Sequence, residues 1–223
     1  MMQEYSISNL YDLNETIAAD LFKGVTYPWE VLPKINDFIL ELGKTLSLDE
    51  FEKRGEDVWI HKSAKVFSSA YIGGPCIIDA DAEIRQCAFI RGSAIVGKGA
   101  VVGNSTELKN VVLFNKVQVP HYNYVGDSIL GFKSHMGAGS ITSNVKSDKK
   151  LVVVKNGADD QVETGLKKFG AMLGDNVEVG CGSVLNPGTV IGRECNIYPL
   201  SSVRGCIPQK HIFKDKDNIV AKY

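Results

Sequence analysis

The sequence has little that would support a disulfide scaffold, a basic binding surface or a membrane span. Its five cysteines include no CxxC pair, so neither a disulfide framework nor a zinc site is indicated and a reducing compartment is expected. Lys+Arg total 25 against 26 for Asp+Glu, a net charge of −1, which predicts no nucleic-acid partner. No apolar run is long enough to cross a membrane, and the polar, acidic start is unlike a signal peptide. We therefore expect a cytoplasmic protein without a membrane partner.

The sequence does contain a long run in which an aliphatic or aromatic residue recurs at every sixth position. The members of this run are Ile60, Val66, Ile72, Ile78, Ile84, Ile90, Val96, Val102, Leu108 and Phe114. Neither the period of a helix, about 3.6 residues, nor the two-residue period of a strand explains the pattern. Six-residue repeats are typical of a parallel β-helix, in which three short strands and their turns close each triangular coil. We predict a mainly β fold, a left-handed parallel β-helix with a short N-terminal α-helical segment.

Three regions are expected. Residues 1–57 show helical patterns and are predicted to be a helical N-terminal cap or appendage that covers the open end of the coil, with partner docking as the alternative. Residues 58–205 are predicted to form the β-helix, whose period breaks near Pro120 and resumes at Leu130. A polar loop at 143–170 interrupts it, and a loop of this length is expected to be functional. Residues 206–223 are expected to cap the last coil.

Candidate functional residues cluster near the break in the repeat. Because residues about eighteen apart stack in neighbouring coils, Arg91 and Lys109 are expected to form a vertical cationic pair that suits a phosphate. Two solvated surface charges are the alternative. His121 is suited to act as a general base, and Glu107 could orient its other ring nitrogen. Flat outer faces suit threefold packing, so a homotrimer with sites in the grooves between chains is expected.

Three motifs carry a resemblance to a known family. They are VGNSTELK at 102–109, HYNYVGD at 121–127 and GAGSITSN at 137–144. In sequence and relative spacing they resemble the acetyltransferase half of the bifunctional N-acetylglucosamine-1-phosphate uridyltransferase/glucosamine-1-phosphate acetyltransferase. The resemblance covers roughly residues 60–205. Residues 1–57 are too few to hold the nucleotide-binding domain of the uridyltransferase half, so we expect this chain to lack that activity.

The resemblance implies a role for each matching residue. His121 falls on the catalytic base, which takes a proton from the sugar amine as it attacks the acetyl-CoA thioester, and Asn144 falls near the reacting groups. The residues implied to contact the sugar phosphate are Arg91, Lys109, Tyr124, His135 and Lys150. The residues implied to line the acetyl-CoA groove are Ala138, Asn144, Val145, Cys181 and Pro199. Acetyl-CoA is thus the implied co-substrate, and no metal is implied.

The sequence also departs from the family pattern. His135 replaces an asparagine, Cys181 a serine and Pro199 an alanine, and the inserted loop is longer. We expect an acetyl-CoA-dependent N-acetyltransferase acting on an amino sugar phosphate, such as glucosamine-1-phosphate, or on a nucleotide-linked amino sugar. One alternative is a catalytically lapsed or partner-dependent sugar-nucleotide-binding coil. Others are an O-acetyltransferase and a zinc enzyme similar to the γ-class carbonic anhydrases, for which His121 and His135 supply only two of three histidines.

Overall fold

Three ladders of parallel strands close a β-helix in the computed structural model, which describes residues 1–222. Face 1 contains β2 (Val58–His61), β5 (Cys76–Ile78), β8 (Ala94–Val96), β17 (Ala171–Leu173), β20 (Thr189–Ile191) and β23 (Cys206–Ile207). Face 2 contains β3 (Lys65–Val66), β6 (Glu83–Ile84), β9 (Val101–Asn104), β11 (Gln118–His121), β13 (His135–Met136), β18 (Glu178–Val179), β21 (Asn196–Ile197) and β24 (His211–Asp215). Face 3 contains β4 (Tyr71–Ile72), β7 (Phe89–Ile90), β14 (Ile141–Thr142), β19 (Val184–Leu185) and β22 (Ser202–Val203). Two longer strands, β10 (Glu107–Leu113) and β12 (Tyr124–Leu130), run from face 3 onto face 1.

The six-residue column predicted from the sequence fills the interior. Ile84, Ile90 and Val102 are fully buried, and each pairs in register with its equivalent in the neighbouring coil. In such a β-helix each strand buries an apolar side chain in the interior, and its backbone forms hydrogen bonds with the coils above and below. The prediction of a parallel β-helix is confirmed.

The break in the period is different from the one expected near Pro120. The coil instead loses one residue at each of two successive turns from face 3 to face 1, because Val111 pairs with Ala94 and Ser128 with Val111, seventeen positions apart each time. Leu113 therefore takes the interior slot that the repeat assigned to Phe114. Phe114 is buried outside the coil, with its ring centroid 5.0 Å from that of Tyr11. No loop protrudes at Pro120.

The N-terminal segment lies along face 1 and not over the open end of the coil, which corrects that expectation. It consists of short helices at Met2–Tyr5, Ile7–Leu10, Leu13–Glu15, Ala19–Phe22 and Pro28–Lys34, followed by an α-helix at Ile35–Thr45. The α-helix contacts β5, β8 and β10, and Pro28–Lys34 contacts β12. Pro33 lies inside the Pro28–Lys34 segment, one residue before its end at Lys34, and the α-helix follows directly. Face 1 is thereby withdrawn from solvent.

Antiparallel strands close both ends of the coil. β1 (Phe51–Lys53) pairs with β2, and β24 pairs with β25 (Asn218–Ala221). The inserted loop contains a hairpin of β15 (Val153–Lys155) and β16 (Gln161–Glu163), anchored by the buried Val152 and Val154. Within residues 1–222, none of the helices has the length and apolar character needed to span a membrane.

Candidate active site

A buried carboxylate, Asp127, organises the corner where β12 turns from face 3 to face 1. Its side chain is 5% exposed and accepts hydrogen bonds from Lys109 Nζ at 2.8 and 3.1 Å. It also accepts from Asn110 Nδ2 at 3.0 Å and from Asn144 Nδ2 at 2.5 Å. Asn144 Nδ2 lies 3.1 Å from the Tyr124 hydroxyl. Three residues singled out from the sequence, Lys109, Tyr124 and Asn144, are therefore brought together around a fourth that was not.

The shortened turns explain how Asp127 reaches this position. Asn110 and Asp127 both adopt left-handed backbone conformations, with φ of 56° and 47°, which Asn and Asp tolerate better than most residues. With one residue fewer in each turn, β10 and β12 continue across the corner as seven-residue strands. The Asp127 carboxylate is held inside the corner and is satisfied by three donors, as a buried charge requires.

Arg91 and Glu107 form a second ion pair beside this network. Lys109 lies one coil above Arg91, as the stacking rule predicts, but each cation has its own carboxylate. Arg91 Nη1 lies 2.8 Å from Glu107 Oε1, and this carboxylate raises the pKa of the Arg91 guanidinium. Burial, with the carboxylate of Asp127 nearby, raises the pKa of the Tyr124 hydroxyl, which is therefore neutral at physiological pH and accepts a hydrogen bond from Asn144. Glu107 faces Arg91 and is not hydrogen-bonded to the His121 imidazole among the described residues.

His121 is exposed at the other edge of face 3, on the corner between faces 2 and 3. Its backbone is fixed by the buried Asn123, whose Oδ1 accepts from His121 N–H at 3.1 Å. The Asn123 amide in turn donates to the carbonyls of Gly137 and Ser140 at 2.9 and 3.0 Å. The imidazole itself has no hydrogen-bond partner within residues 1–222. The His121 imidazole is thus accessible to a ligand or to a neighbouring chain.

Three residues assigned to the coenzyme groove stack above His121 along the same corner. Ala138, Cys181 and Pro199 are exposed at equivalent positions of successive coils. The main-chain ladder connects them: Gly139 N–H donates to the His121 carbonyl, Gly182 N–H to that of Ala138, and Leu200 N–H to that of Cys181, at 2.9 to 3.0 Å. This column is a straight, rigid track that ends at His121.

The remaining sequence-predicted residues lie elsewhere in the chain. His135 projects from face 2, where its Nδ1 lies 2.9 Å from Glu178 Oε2, beside a cavity of about 380 Å³. Lys150 is exposed in the insertion, as is Val145, which bridges to Lys168. A single chain therefore separates the candidate base from the candidate phosphate ligands by the width of face 3.

Sequence reasoning missed Asp127, Asn110 and Asn123. Asp127 and Asn123 belong to the HYNYVGD motif quoted above. The sequence at these two positions does not indicate which residues their side chains contact. One feature of the sequence could have identified Asp127. The repeat is one residue shorter at each of two turns, and Asp127 lies in the second of them. Among residues 1–222, no group of three or more His, Cys, Asp or Glu side chains is placed to hold a metal ion.

Comparison with known proteins agrees with the motifs. The family described as GMPPB C-terminal domain matches residues 72–161. The bifunctional protein GlmU of Methanococcus maripaludis is 32% identical over 201 residues, 89% of this chain and 48% of that protein. A bifunctional sugar-1-phosphate nucleotidylyltransferase/acetyltransferase of Sulfurisphaera tokodaii is 30% identical over 195 residues, 78% of this chain and 48% of that protein. A hexapeptide transferase family protein from Anaplasma phagocytophilum has a TM-score of 0.49 at 16% identity, covering 74% of this chain and 79% of its own.

The chain thus spans about half the length of the curated relatives that it matches. The resemblance read from the three motifs is confirmed: this chain is a relative of the bifunctional GlmU proteins and resembles their acetyltransferase half.

Proposed function

We propose that this protein is an N-acetyltransferase that transfers the acetyl group of acetyl-CoA to an amino sugar phosphate or a nucleotide-linked amino sugar. The observation that carries the proposal is the Lys109–Asp127–Asn144–Tyr124 network, which brings three residues with substrate roles implied by the resemblance together around one buried carboxylate. The acetyltransferase named in the Sulfurisphaera relative supports the same reaction class. Glucosamine-1-phosphate is the simplest acceptor with the required amine and phosphate.

In the proposed reaction the sugar amine attacks the thioester carbonyl, forming a C–N bond as the C–S bond breaks. His121 removes a proton from the attacking nitrogen and returns one to the departing thiolate, a role that an imidazole performs well near neutral pH. Asn144 is held by Asp127 and Tyr124, so its amide is fixed in place to bind the acceptor or the acetyl group. Because both N–H groups of Asn144 are used in these bonds, its Oδ1 is proposed to accept a hydrogen bond from the attacking amine and to help orient it.

The phosphate is proposed to bind between Arg91 and Lys109. Each cation is paired with a carboxylate, Glu107 or Asp127, so the four groups together carry no net charge in the free protein. The carboxylates hold each cation in one orientation, and Arg91 remains about half exposed and able to receive an anion. Lys150, in the inserted loop, is proposed to add a further cation on the phosphate side. Glu107 is thus proposed to orient Arg91 and not His121.

We propose that the complete site forms between chains of a homotrimer. The candidate base and the candidate phosphate ligands occupy opposite edges of face 3 in one chain. When the face 2–face 3 corner of one copy meets the face 3–face 1 corner of the next, His121 lies opposite Lys109 and Asn144. The column of Ala138, Cys181 and Pro199 then forms one wall of a coenzyme groove.

The direct test is thiol release from acetyl-CoA with glucosamine-1-phosphate, run beside other amino sugars and nucleotide-linked amino sugars. His121→Ala is expected to reduce turnover by roughly 10²- to 10⁴-fold, the usual contribution of a general base, while the melting temperature stays unchanged because His121 is exposed. His61→Ala, at the end of β2 on face 1, is the control histidine variant and should keep full activity. Turnover by His121→Ala at the wild-type rate would contradict the assignment.

A sugar-nucleotide-binding coil without catalysis is the second candidate. The His121 imidazole favours it, because no hydrogen-bond partner within residues 1–222 orients the ring for proton transfer. Well-folded protein that binds a nucleotide sugar but releases no thiol with any acceptor would support this reading.

A further inference from the structure

A cavity of about 460 Å³ lies between the inserted hairpin and the coil, away from the acetyl-transfer residues. Val153, Lys155 and Gly157 form its outer wall, and Pro187, Arg204 and Cys206 belong to the coil beneath. A volume in this range is usual for small-molecule sites, which extend from about 300 to 1,000 Å³. Its position and lining are the basis of a second binding site.

The hairpin is packed directly on the coil, so the cavity is preformed. Gly188 and Gly205 occupy equivalent corners of two successive coils and have φ of +84° and +81°. A Cβ at Gly188 would lie 2.8 Å from the Val152 side chain, and one at Gly205 would lie 2.9 Å from the Lys155 carbonyl. Only glycine permits this close approach together with the left-handed backbone. The two glycines therefore allow the inserted hairpin to pack closely against the coil beside the cavity.

The charge of the lining is one-sided. Lys146, Lys155 and Arg204 all line the cavity, and no acidic side chain of the described residues does. Asn186 Oδ1 holds the Arg204 guanidinium at 3.0 Å without neutralising it. Two carboxylates lie near but outside the lining: Asp148 is 3.3 Å from Lys146 Nζ, and Asp160 accepts from the Asn156 side chain at 2.9 Å. In a protein of net charge −1, Lys155 and Arg204 are the two lining cations without an ion-pair partner among the described residues, and an anion in this partly enclosed space would stabilise them.

The lining also has an apolar part. Val153, Pro187 and Cys206 face the same space as the cations, and burial raises the pKa of the Cys206 thiol to about 12, so it is a neutral, weakly polar group there. An inorganic anion alone would leave these apolar side chains exposed to solvent. A phosphate ester with a flat, less polar group could contact both the cations and the apolar side chains.

We propose that this cavity binds the phosphates of a nucleotide-sized ligand, with Lys155 and Arg204 as the principal contacts. Arg204 lies on the same corner as Lys109, four coils higher, which is about 19 Å at roughly 4.8 Å per coil. Two sources share this chemistry: the nucleotide end of a coenzyme A molecule, or a separate nucleotide or nucleotide sugar. The first would extend the proposed function, and the second would be independent of it.

The test is calorimetric titration of the whole protein, which needs no turnover and so is independent of the acetyl-transfer proposal. The probes are 3′-phosphoadenosine 5′-diphosphate for the coenzyme and uridine diphosphate for the nucleotide sugar, with adenosine as the uncharged control. We expect one diphosphate to bind and adenosine not to bind. Whichever diphosphate binds identifies the source.

Lys155→Ala and Arg204→Ala are each expected to weaken the binding about ten-fold, the effect of losing one charge-assisted hydrogen bond. Both side chains are exposed, so folding should be unaffected, which a melting curve checks. Lys167→Ala removes an exposed lysine of the same insertion that does not line the cavity, and should leave the affinity unchanged. Absence of binding for both diphosphates, or equal affinity in the wild type and the double variant, would overturn the proposal.

Discussion

At the scale of single residues, the candidate site depends on one buried charge. Asp127 accepts from Lys109 and Asn110 in the preceding coil and from Asn144 in the following one. Losing a buried charge partner is costly because the remaining polar groups are left unsatisfied. Asp127 is thus a positioning residue, since it acts by holding the side chains proposed to touch substrate.

The variant Asp127→Asn tests this role. An amide keeps the shape but sets an NH₂ group against the donors of Lys109, Asn110 and Asn144. We expect the free energy of unfolding to fall by about 1–3 kcal/mol, measured by chemical denaturation. We also expect kcat/KM to fall by more than the loss of folded protein explains.

Asp81→Asn is the matched control, because Asp81 also has a left-handed backbone, with φ of 58°, but is exposed. It should change neither stability nor activity. If Asp127→Asn lowers stability while the folded fraction keeps wild-type kinetics, Asp127 is purely structural.

At the scale of secondary-structure elements, the corner between faces 2 and 3 is the proposed coenzyme track. Two exposed cysteines lie on it, Cys181 four coils above Cys87. The other thiols are buried to different extents, and burial raises the pKa of Cys76 and Cys206 to about 12 and that of Cys195 to about 11. Thiolate is the reactive form, so only the two corner cysteines should be labelled quickly.

This difference gives a test of the coenzyme groove. Desulfo-coenzyme A is expected to slow the alkylation of Cys181 and leave that of Cys87 unchanged, as followed by peptide mass spectrometry. Cys87 serves as the control within the same molecule, on the same corner but below His121. Equal protection of both cysteines, or of neither, would contradict the proposed position of the groove.

The N-terminal segment supports the candidate site from face 1. The Leu32 carbonyl accepts a hydrogen bond from Asn110 Nδ2 at 3.2 Å, which connects this segment to the Asp127 corner. Nearby, Trp29 is 2% exposed, and its ring centroid lies 4.6 Å from that of Tyr27 and 5.8 Å from that of Phe169. Phe169 lies at the end of the 143–170 insertion, so the packing of Trp29 connects the N-terminal segment to that insertion.

Trp29→Ala is expected to lower the free energy of unfolding by about 3–5 kcal/mol, the usual cost of removing a large buried aromatic side chain. Denaturant titration measures this change. Acetyl transfer should fall as well, because the insertion and the Asp127 corner lose a shared support. Leu48→Ala, at a side chain 68% exposed, should have little effect. Wild-type stability in Trp29→Ala would show that the segment is only loosely attached.

At the scale of the whole molecule, two of the three faces of the coil are open. The N-terminal segment covers face 1, whereas face 3 exposes Tyr71 and Phe89, which are 60% and 42% accessible and whose ring centroids lie 5.4 Å apart in a tilted arrangement. Tyr122 and Leu200 are 63% and 85% exposed on the adjoining corner. Exposed apolar side chains of this size mark surfaces of association. These features support the proposal that the trimer forms through faces 2 and 3.

Subunit mixing tests whether sites are shared between chains. When inactive His121→Ala and Lys109→Ala chains are co-expressed, random assembly gives sites with both residues intact at about one quarter of the wild-type number. Activity near that fraction is expected in the mixture, and none when the variants are expressed apart and not exchanged. A mixture without activity would mean that both residues serve the same site within one chain.

Much of the fold follows from the sequence alone. The six-residue period is a local property, because the size of the side chain at each repeated position decides whether it fits inside a triangular coil. It therefore predicted the interior column and the stacking of Lys109 above Arg91. The period could not locate the two shortened turns. Residues 111–114 are all apolar. A six-residue repeat therefore assigns Phe114 to the interior, although Leu113 occupies that position in the structure.

Only the tertiary structure decided which groups meet at the site. Asp127 receives donors from positions 17 and 18 residues away, and Asn110 meets Leu32 across 78 residues. No local pattern encodes such contacts, because they depend on how the N-terminal segment packs along face 1 and how each corner turns. The sequence by itself therefore determined the repeating coil and its candidate residues. The tertiary structure decided their partners, since long-range packing and not periodicity sets which charges are buried together.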